Sequence, residues 1–316
     1  TAFNIHTRAL GLHARDVLHA QWRPRLMDRQ GERSDSGEPS STSTLAAYVP
    51  AHYIVVDHHE RAVVLVVRGT LALEDMVTAF EVAPTRSDER ELGRHCHGGM
   101  AAAARTLVEQ HKELLRRTLE MHPGYRLDLA GHSLGAGIAS FATVLLRRSL
   151  PRGIAVHAYA FAPPCTLPLR ESRRHDSCVD AYIYQADVVP RLSVGSVHGL
   201  SEAIAAFTGD SKAYVSDATD GCYYLRKASR PQPTTRFPPG RLRQLEWLQE
   251  AASESGDARR RRRGGGSREH QLLCPDRRGL GLIRLRRSMF RDHGFDRYEC
   301  ALTDLAGSCS TTHGEA

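Results

Sequence analysis

The sequence predicts an α/β fold with a central, mostly parallel β-sheet and helices on both faces. Three observations lead to this prediction. Short β-branched runs alternate along the chain with longer segments of helical periodicity, which is the pattern of a layered α/β domain. The run Val63–Val67 is apolar on both faces, as expected of a strand buried at the centre of a sheet. A strand, a tight turn and a helix follow one another around Ser133.

The composition is that of an ordinary globular protein. Of the 316 residues, 41% are hydrophobic and 25% are charged. The sequence contains no run of 18 apolar residues, so it predicts no membrane-spanning helix. Part of the net charge of +7 lies in the Arg-rich segment 251–280. Because no nucleic-acid-binding motif accompanies this segment, we expect no nucleic-acid partner. The seven cysteines form no C-x-x-C pair, which favours free thiols in a reducing, intracellular compartment.

The N-terminal part of the chain is predicted to lie outside the main domain. Residues 1–47 are expected to form an extension, with a short helix around residues 13–27 and a polar linker at residues 29–44. The main domain is then expected to cover residues 48–306. Residues 307–316 are expected to form a tail.

The main domain is predicted to alternate strands and helices. Its first two strands are β-branched runs separated by a short polar segment, which indicates a turn. The period then changes to that of a helix at Met100. An Arg- and Gly-rich insertion at about 251–280 separates the last two predicted strands. The expected strands are 52–56, 62–67, 126–130, 154–161, 179–184, 242–248 and 280–285, and the expected helices are 100–121 and 134–148.

The segment Gly131–Gly135 (GHSLG) carries the pattern G-x-S-x-G between a predicted strand and a predicted helix. In this context the pattern indicates a sharp turn that exposes the serine hydroxyl, with the helix N-terminus directed at the same point. Ser133 is therefore the candidate nucleophile. The backbone N–H of Leu134 is a candidate donor to an oxyanion. A serine nucleophile also needs a general base, and a third group that orients the base.

The orienting carboxylate is expected after Ser133 in the chain, followed by the histidine base. Asp187 directly follows the predicted strand 179–184, so it would lie at the carboxyl edge of the sheet, where α/β proteins carry their functional groups. Asp176 precedes that strand and Asp180 lies within it. We therefore favour Asp187.

The candidate base is His293. It follows the last predicted strand, in a loop that can reach back across the sheet edge to the nucleophile. His198 is the main alternative, but it lies only eleven positions after Asp187. The remaining histidines fit less well by chain order or by position: His175, His270 and His313.

A second oxyanion donor is expected where strand 62–67 ends in Arg68-Gly69-Thr70. Gly69 allows the backbone to approach closely, and Thr70 offers both an N–H and a hydroxyl. An ordinary turn explains the same residues as well.

No metal site and no cofactor are predicted. The triplet His95-Cys96-His97 contains metal-binding residue types, but no further ligand pair lies at a suitable spacing. A serine, a base and a carboxylate need neither a metal nor an organic cofactor for nucleophilic catalysis.

Taken together, these residues make the chain resemble the class 3 (fungal-type) lipases, most closely the sn-1-specific diacylglycerol lipases of eukaryotes. The resemblance covers about residues 48–303, in the family order. The matching segments are VVDHHERAVVLVVRGTLALEDMVTAF (55–80), HGGM (97–100), DLAGHSLGAGIASFAT (128–143), AYAFAPP (158–164), YQADVVPRLS (184–193), FPPGRL (237–242) and MFRDHGFDRYECAL (289–302).

The resemblance implies an α/β-hydrolase fold and hydrolysis of an acyl ester in a glycerolipid, with diacylglycerol as the expected substrate. Ser133, Asp187 and His293 fall on the family's catalytic residues, and Thr70 and Leu134 fall on its oxyanion positions. A substrate of this kind is met at a membrane or lipid-droplet surface.

The segment after Thr70, at about 71–94, matches the position of a lid or regulatory insertion in these enzymes. Its apolar residues are candidates for lining the acyl entrance, although an amphipathic core helix explains them equally well: Leu71, Leu73, Met76, Val77 and Phe80. Two functional alternatives stay open at this point. One is a non-catalytic lipid-binding homologue, and the other is an esterase or phospholipase with a different substrate.

Overall fold

The strands and helices were assigned in a computed structural model of the chain. It describes residues 13–27, 47–69, 92, 96–208, 235–248 and 270–311. Within them the strands are β1 (Val17–Gln21), β2 (Arg25–Met27), β3 (Ala47–Val49), β4 (His52–Asp57), β5 (Ala62–Val67), β6 (Arg126–His132), β7 (Val156–Phe161), β8 (Val179–Tyr184), β9 (Arg241–Trp247) and β10 (His270–Leu273). The helices are α1 (Gly98–Met121), α2 (Leu134–Ser149), α3 (Leu169–Ser172), α4 (Val194–Thr208) and α5 (Phe295–Thr311).

The main sheet has the strand order β1-β4-β5-β6-β7-β8-β9-β10. The five strands from β5 to β9 run parallel to one another. The pairs β1–β4, β4–β5 and β9–β10 are antiparallel. This arrangement confirms the predicted α/β class with a mostly parallel sheet.

Strand β8 shows that both faces of the sheet are covered. Ala181 and Ile183 point to one face and pack with Phe237, whereas Tyr184 belongs to a cluster on the other face with Tyr298 of α5. Because successive side chains of a strand alternate between faces, a strand buried in this way must lie between two layers. A larger cluster joins α1 and α2 to the central strands.

The predicted helix at residues 13–27 is wrong. These residues form a short 3-10 turn and the strands β1 and β2. Strand β1 pairs with β4 at the edge of the main sheet, and β2 pairs with β3. A short half-buried segment has no decisive local preference, so pairing with a neighbouring strand determines its conformation.

The predicted last strand at residues 280–285 is also wrong. Leu280 ends up in the 3-10 turn Arg277–Gly281, and Leu280 and Ile283 are buried three positions apart. The last strand is β10, which lies within the stretch that the sequence predicts as an insertion. From sequence alone, a short apolar run that forms a strand looks the same as one that forms an irregular buried segment.

None of the helices in the described ranges has the length and apolar character needed to cross a bilayer.

Candidate active site

Ser133 occupies a strained turn between β6 and α2. Its backbone has φ 59° and ψ −128°, a region that a residue with a side chain rarely adopts. The Ser133 N–H donates to the Phe161 carbonyl of the next strand at 2.9 Å. A Cβ at Gly135 would collide with the carbonyl oxygen of Val67, so the turn can pack against β5 only with glycine at this position. The result has the strand–turn–helix geometry of a nucleophile elbow.

The N-terminus of α2 lies at the same point as the serine. Leu134 is the first residue of this helix, and the first N–H groups of a helix have no partner within it. They also carry the positive end of the helix dipole. The end of β5 approaches from the other side, where a Cβ at Gly69 would lie 2.5 Å from the carbonyl oxygen of His132. These backbone groups can stabilise a negative charge near the serine.

His293 connects the serine to a carboxylate. It ends the 3-10 turn Arg291–His293 and is buried. Its Nε2 lies 3.0 Å from Ser133 Oγ, and its Nδ1 lies 3.1 Å from each carboxylate oxygen of Asp187. Hydroxyl, imidazole and carboxylate therefore form one continuous hydrogen-bonded chain.

Asp187 is completely buried just beyond the end of β8. Two donors hold its carboxylate besides the histidine. The Val189 N–H donates to Oδ1 at 2.9 Å, and the Tyr298 hydroxyl donates to Oδ2 at 2.6 Å. Burial and the neighbouring Asp187 charge raise the pKa of Tyr298 well above its usual value, so the phenol keeps the proton that it donates.

His132 contacts both the backbone and the ring of His293. Its Nε2 lies 2.9 Å from the carbonyl oxygen of His293, and the two rings pack with centroids 4.8 Å apart. Burial, followed by the nearby His293, lowers the pKa of His132 to about 4. His132 is therefore neutral at pH 7, with an N–H available for that carbonyl.

Asp292 connects the 3-10 turn Arg291–His293 to the loop that carries Asp187. Its Oδ2 accepts from the Ala186 N–H at 3.3 Å and from the Ser288 hydroxyl at 2.9 Å. Burial raises the pKa of this carboxyl. Tyr298, His132 and Asp292 were missed by the sequence analysis. They lie within or next to the motif segments, but the pattern of residue types gave no reason to assign them a role.

Of the residues predicted for the site, Ser133, Asp187 and His293 come together, and Leu134 lies beside them. The predicted positions Thr70, Leu71, Leu73, Met76, Val77 and Phe80 lie outside the described residues. The alternatives lie in other contacts. Asp176 pairs with Arg277, Asp180 with His157, His198 with Glu202 and His270 with Asp304.

His97 and Cys96, of the triplet that contains metal-binding residue types, have different structural surroundings. His97 precedes α1, and its Nδ1 accepts from the Met100 N–H at 3.3 Å, so it caps the helix. Cys96 is buried in the core. His95 lies outside the described residues.

Comparison with known proteins finds similarity to lipases. Residues 64–196, which include the elbow and Asp187, match the model of the lipase (class 3) family. Diacylglycerol lipase-beta of Mus musculus is 34% identical over 180 residues, covering 54% of this chain and 26% of the relative. Diacylglycerol lipase-alpha of Homo sapiens is 29% identical over 166 residues, covering 49% of this chain and 16% of the relative.

The aligned segment therefore spans about a quarter or less of the length of these two relatives. Among solved structures, a lipase from Rhizopus microsporus var. chinensis aligns with a TM-score of 0.41 and 20% sequence identity. That alignment covers 45% of this chain and 51% of the other.

Proposed function

We propose that the protein is a serine lipase that hydrolyses an acyl ester of a glycerolipid, and the match of residues 64–196 to the lipase (class 3) family model supports this proposal. One observation carries the proposal. The Ser133 hydroxyl, the His293 imidazole and the Asp187 carboxylate are joined by contacts of 3.0 and 3.1 Å. This arrangement makes a serine hydroxyl nucleophilic at neutral pH.

The first half of the proposed reaction forms an acyl-enzyme. Ser133 Oγ attacks the carbonyl carbon of the ester while His293 Nε2 takes the hydroxyl proton. Asp187 keeps the imidazole oriented and stabilises its positive charge. The oxygen of the tetrahedral intermediate accepts from the Leu134 N–H, with Thr70 as the proposed second donor. Each such donor is worth about 10²–10³-fold in rate.

Departure of the glycerol oxygen completes the first half, and hydrolysis of the acyl-enzyme is the second half. The imidazolium gives its proton to the departing glycerol oxygen, so the C–O ester bond breaks and the acyl group stays on Ser133. A water molecule then attacks the acyl carbon while His293 takes its proton. Collapse of that intermediate releases the fatty acid and returns the proton to Ser133 Oγ. The proposed reaction uses no metal and no redox partner.

Diacylglycerol is the proposed substrate. Two relatives that align with about half of this chain are named diacylglycerol lipases. Apolar Leu71, Met76 and Phe80 are proposed to line the acyl entrance.

A lipid surface is the proposed place of action. Two large apolar side chains flank the proposed base in sequence and face solvent, since Phe290 and Phe295 are 54% and 56% exposed. Val194 and Val197, at the start of α4, are also exposed. Exposed apolar side chains next to a site, as Phe290 and Phe295 are next to His293 in sequence, are typical of a surface that contacts lipid or protein.

The experiment is substitution of Ser133 by alanine. We expect Ser133→Ala to lose at least about 10³-fold in turnover of an emulsified diacylglycerol, because no other hydroxyl occupies the nucleophile position. A fluorophosphonate probe should label the wild type and leave Ser133→Ala unlabelled. The matched control is Ser149→Ala at the end of α2, which should keep both activity and labelling.

Turnover at the wild-type rate in folded Ser133→Ala would refute the mechanism. A wild type that binds lipid vesicles but neither hydrolyses esters nor reacts with the probe would instead be the non-catalytic homologue. Parallel assays on diacylglycerol, triacylglycerol and phosphatidylcholine test the substrate, and the proposal requires diacylglycerol to have the highest kcat/KM.

A further inference from the structure

Three histidines from three different elements meet on the side of the sheet that carries β1. They are His19 of β1, His52 at the start of β4 and His111 of α1. One ring nitrogen from each lies within 4.8 Å of the corresponding nitrogens of the other two. The ring centroids are 4.5 to 5.1 Å apart. We call this group the histidine cluster; it shares no residue with the proposed catalytic site.

Hydrogen bonds determine which nitrogens are available in the cluster. His52 Nδ1 lies 2.8 Å from the Pro50 carbonyl oxygen, which can only accept, so Nδ1 carries the proton and Nε2 of the neutral ring carries a lone pair. His52 Nε2 in turn lies 2.7 Å from His111 Nε2. His19 Nε2 is buried and has no hydrogen-bond partner among the described residues.

This arrangement leaves one ring nitrogen unsatisfied if hydrogen bonds alone hold the cluster together. A single proton can join His52 to His111, but it cannot also serve His19. Burying a ring nitrogen without a partner costs free energy. A group that accepts lone pairs from all three rings at once would remove that cost.

The rings are in the protonation state that binds metal ions. Burial lowers the pKa of His111 to about 4, with His52 and His19 contributing. Burial also lowers the pKa of His52 and of His19, and for His19 the charge of Arg25 acts in the same direction. The three imidazoles are therefore neutral at pH 7, as metal ligation requires.

We propose that the histidine cluster binds one divalent transition-metal ion, with Zn²⁺ as the best fit. The ligands are one ring nitrogen each from His19, His52 and His111, and water fills the fourth position of a tetrahedral site. Three neutral imidazoles suit zinc better than calcium or magnesium, which prefer oxygen ligands. The Pro50 carbonyl fixes the tautomer of His52 in the way that outer partners of zinc-bound histidines do.

Only a small adjustment brings the cluster to zinc geometry. Zn–N bonds of about 2.0–2.1 Å place tetrahedral nitrogens about 3.3 Å apart. The Nε2 atoms of His52 and His111, now 2.7 Å apart, must separate by about 0.6 Å. The His19 nitrogen, now within 4.8 Å of the other two ligand nitrogens, must approach them by up to about 1.5 Å.

The proposed role of the ion is to fasten an edge strand. Strand β1 borders only β4 in the sheet, and α1 packs on the sheet beside them. A metal held by all three elements would fix β1 to β4 and to α1. It would also hold the start of β4, where the Ala51 carbonyl accepts from the Arg68 N–H just before Gly69.

The test measures metal binding and does not depend on lipase activity. Protein prepared without a polyhistidine tag is freed of metal and titrated with Zn²⁺, and in a second arm with Co²⁺. We expect one tight site per chain and the intense visible absorption of tetrahedral Co²⁺. His19→Ala, which removes the least buried ligand, should weaken Zn²⁺ binding by at least about 10-fold and abolish that absorption.

The matched control is His122→Ala, which removes a histidine just beyond α1 that packs on His58 and Tyr125 outside the cluster. It should bind Zn²⁺ as the wild type does. Wild-type protein with no tight site overturns the proposal, as does tight binding that His19→Ala leaves unchanged or that His122→Ala removes equally. Because the absence of a tight site in the wild type overturns the proposal by itself, that outcome does not depend on the folding of a variant. A chelator should also lower the wild-type Tm and leave that of His19→Ala unchanged.

Discussion

At the scale of single residues, each proposed catalytic side chain is held by a buried partner. Tyr298 illustrates this, because its hydroxyl accepts from the Tyr184 N–H at 2.9 Å and donates to Asp187 at 2.6 Å. One phenol thus links the end of β8, the carboxylate and helix α5. The orientation of Asp187, and through it that of His293, depends on this link.

Replacing Tyr298 by phenylalanine removes the link and leaves the ring in place. We expect Tyr298→Phe to lower kcat about 10-fold with little change in KM, because the substrate contacts stay while the base is less well oriented. Unfolding in urea should show a loss of about 1–3 kcal/mol, since the Tyr184 N–H loses its acceptor.

Tyr125→Phe is the matched control for that substitution. The Tyr125 hydroxyl makes an exposed contact of 3.0 Å with His58, and its removal should change neither kcat nor stability measurably. A Tyr298→Phe enzyme with wild-type kcat would show that Asp187 is held sufficiently by Val189 and His293.

His132 makes stability depend on pH. Its pKa is about 4 in the folded protein, against 6.5 for an ordinary histidine, so only the unfolded chain takes up this proton between those values. Stability should therefore fall as pH decreases from about 6.5 to about 4. In His132→Gln, which keeps a donor for the His293 carbonyl, Tm should fall less over the same range.

The exposed His198 provides the control for this measurement. The Tm of His198→Gln should change with pH as the Tm of the wild type does. If His132→Gln showed the same loss of Tm with acid as the wild type, His132 would not be a source of the pH dependence.

Local pattern was enough to single out Ser133 as a candidate, because the strand, the turn and the helix around it are adjacent in sequence. Asp187 could be singled out because it follows a strand. His293 lies 160 residues from Ser133, so only its place after the last strands could suggest it. Tyr298 could not be predicted in this way, since its role arises from packing between α5 and β8.

At the scale of secondary-structure elements, the turn between β6 and α2 depends on close contact with β5. Gly135 lies against the backbone of Val67, Arg68 and Gly69. These are backbone atoms, which cannot move aside as a flexible side chain can. The contact brings the end of β5 next to the turn that carries Ser133.

Gly135→Ala tests this packing. We expect a loss of about 3 kcal/mol or more in the free energy of unfolding and a large loss of activity, because overpacking against backbone shifts β5 away from the turn. Equilibrium denaturation and ester hydrolysis measure the two effects.

Gly199→Ala makes the same change in α4, where a Cβ would meet nothing within 4 Å. It should stabilise the protein slightly, by up to about 1 kcal/mol. Gly135→Ala with wild-type stability would mean that β5 and the turn can separate at little cost.

Elements with a strong period were predicted well, and those defined by their partners were not. Strand β8 has the predicted bounds, and α1 and α2 differ from theirs by one or two residues. Strand β1 was predicted as part of a helix, and β10 as part of an insertion. Both are short edge strands whose conformation comes from antiparallel pairing with β4 and β9.

At the scale of the whole molecule, the sheet extends beyond the domain start expected from the sequence. Strand β1 precedes residue 48 and lies in the same sheet as the central strands. It covers the edge of β4, which is buried except for Tyr53 and Asp57. An uncovered strand of this kind exposes unpaired backbone groups and a template for pairing with other chains.

A chain that begins at residue 47 should therefore be less stable and more prone to self-association than one that begins at residue 13. Size-exclusion chromatography and thermal unfolding of the two truncated proteins measure these effects. Equal Tm and equal monomer content would show that β1 is dispensable and that the domain does begin near residue 48.

The order of residues along the chain has a consequence for biosynthesis. Ser133 and Asp187 leave the ribosome long before the turn Arg291–His293 and helix α5, which bring the base and the phenol that steadies the carboxylate. A nascent polypeptide can thus complete most of its central sheet while it is still unable to cleave an ester. Under the proposed mechanism, translation itself delays the onset of hydrolysis until helix α5 has docked.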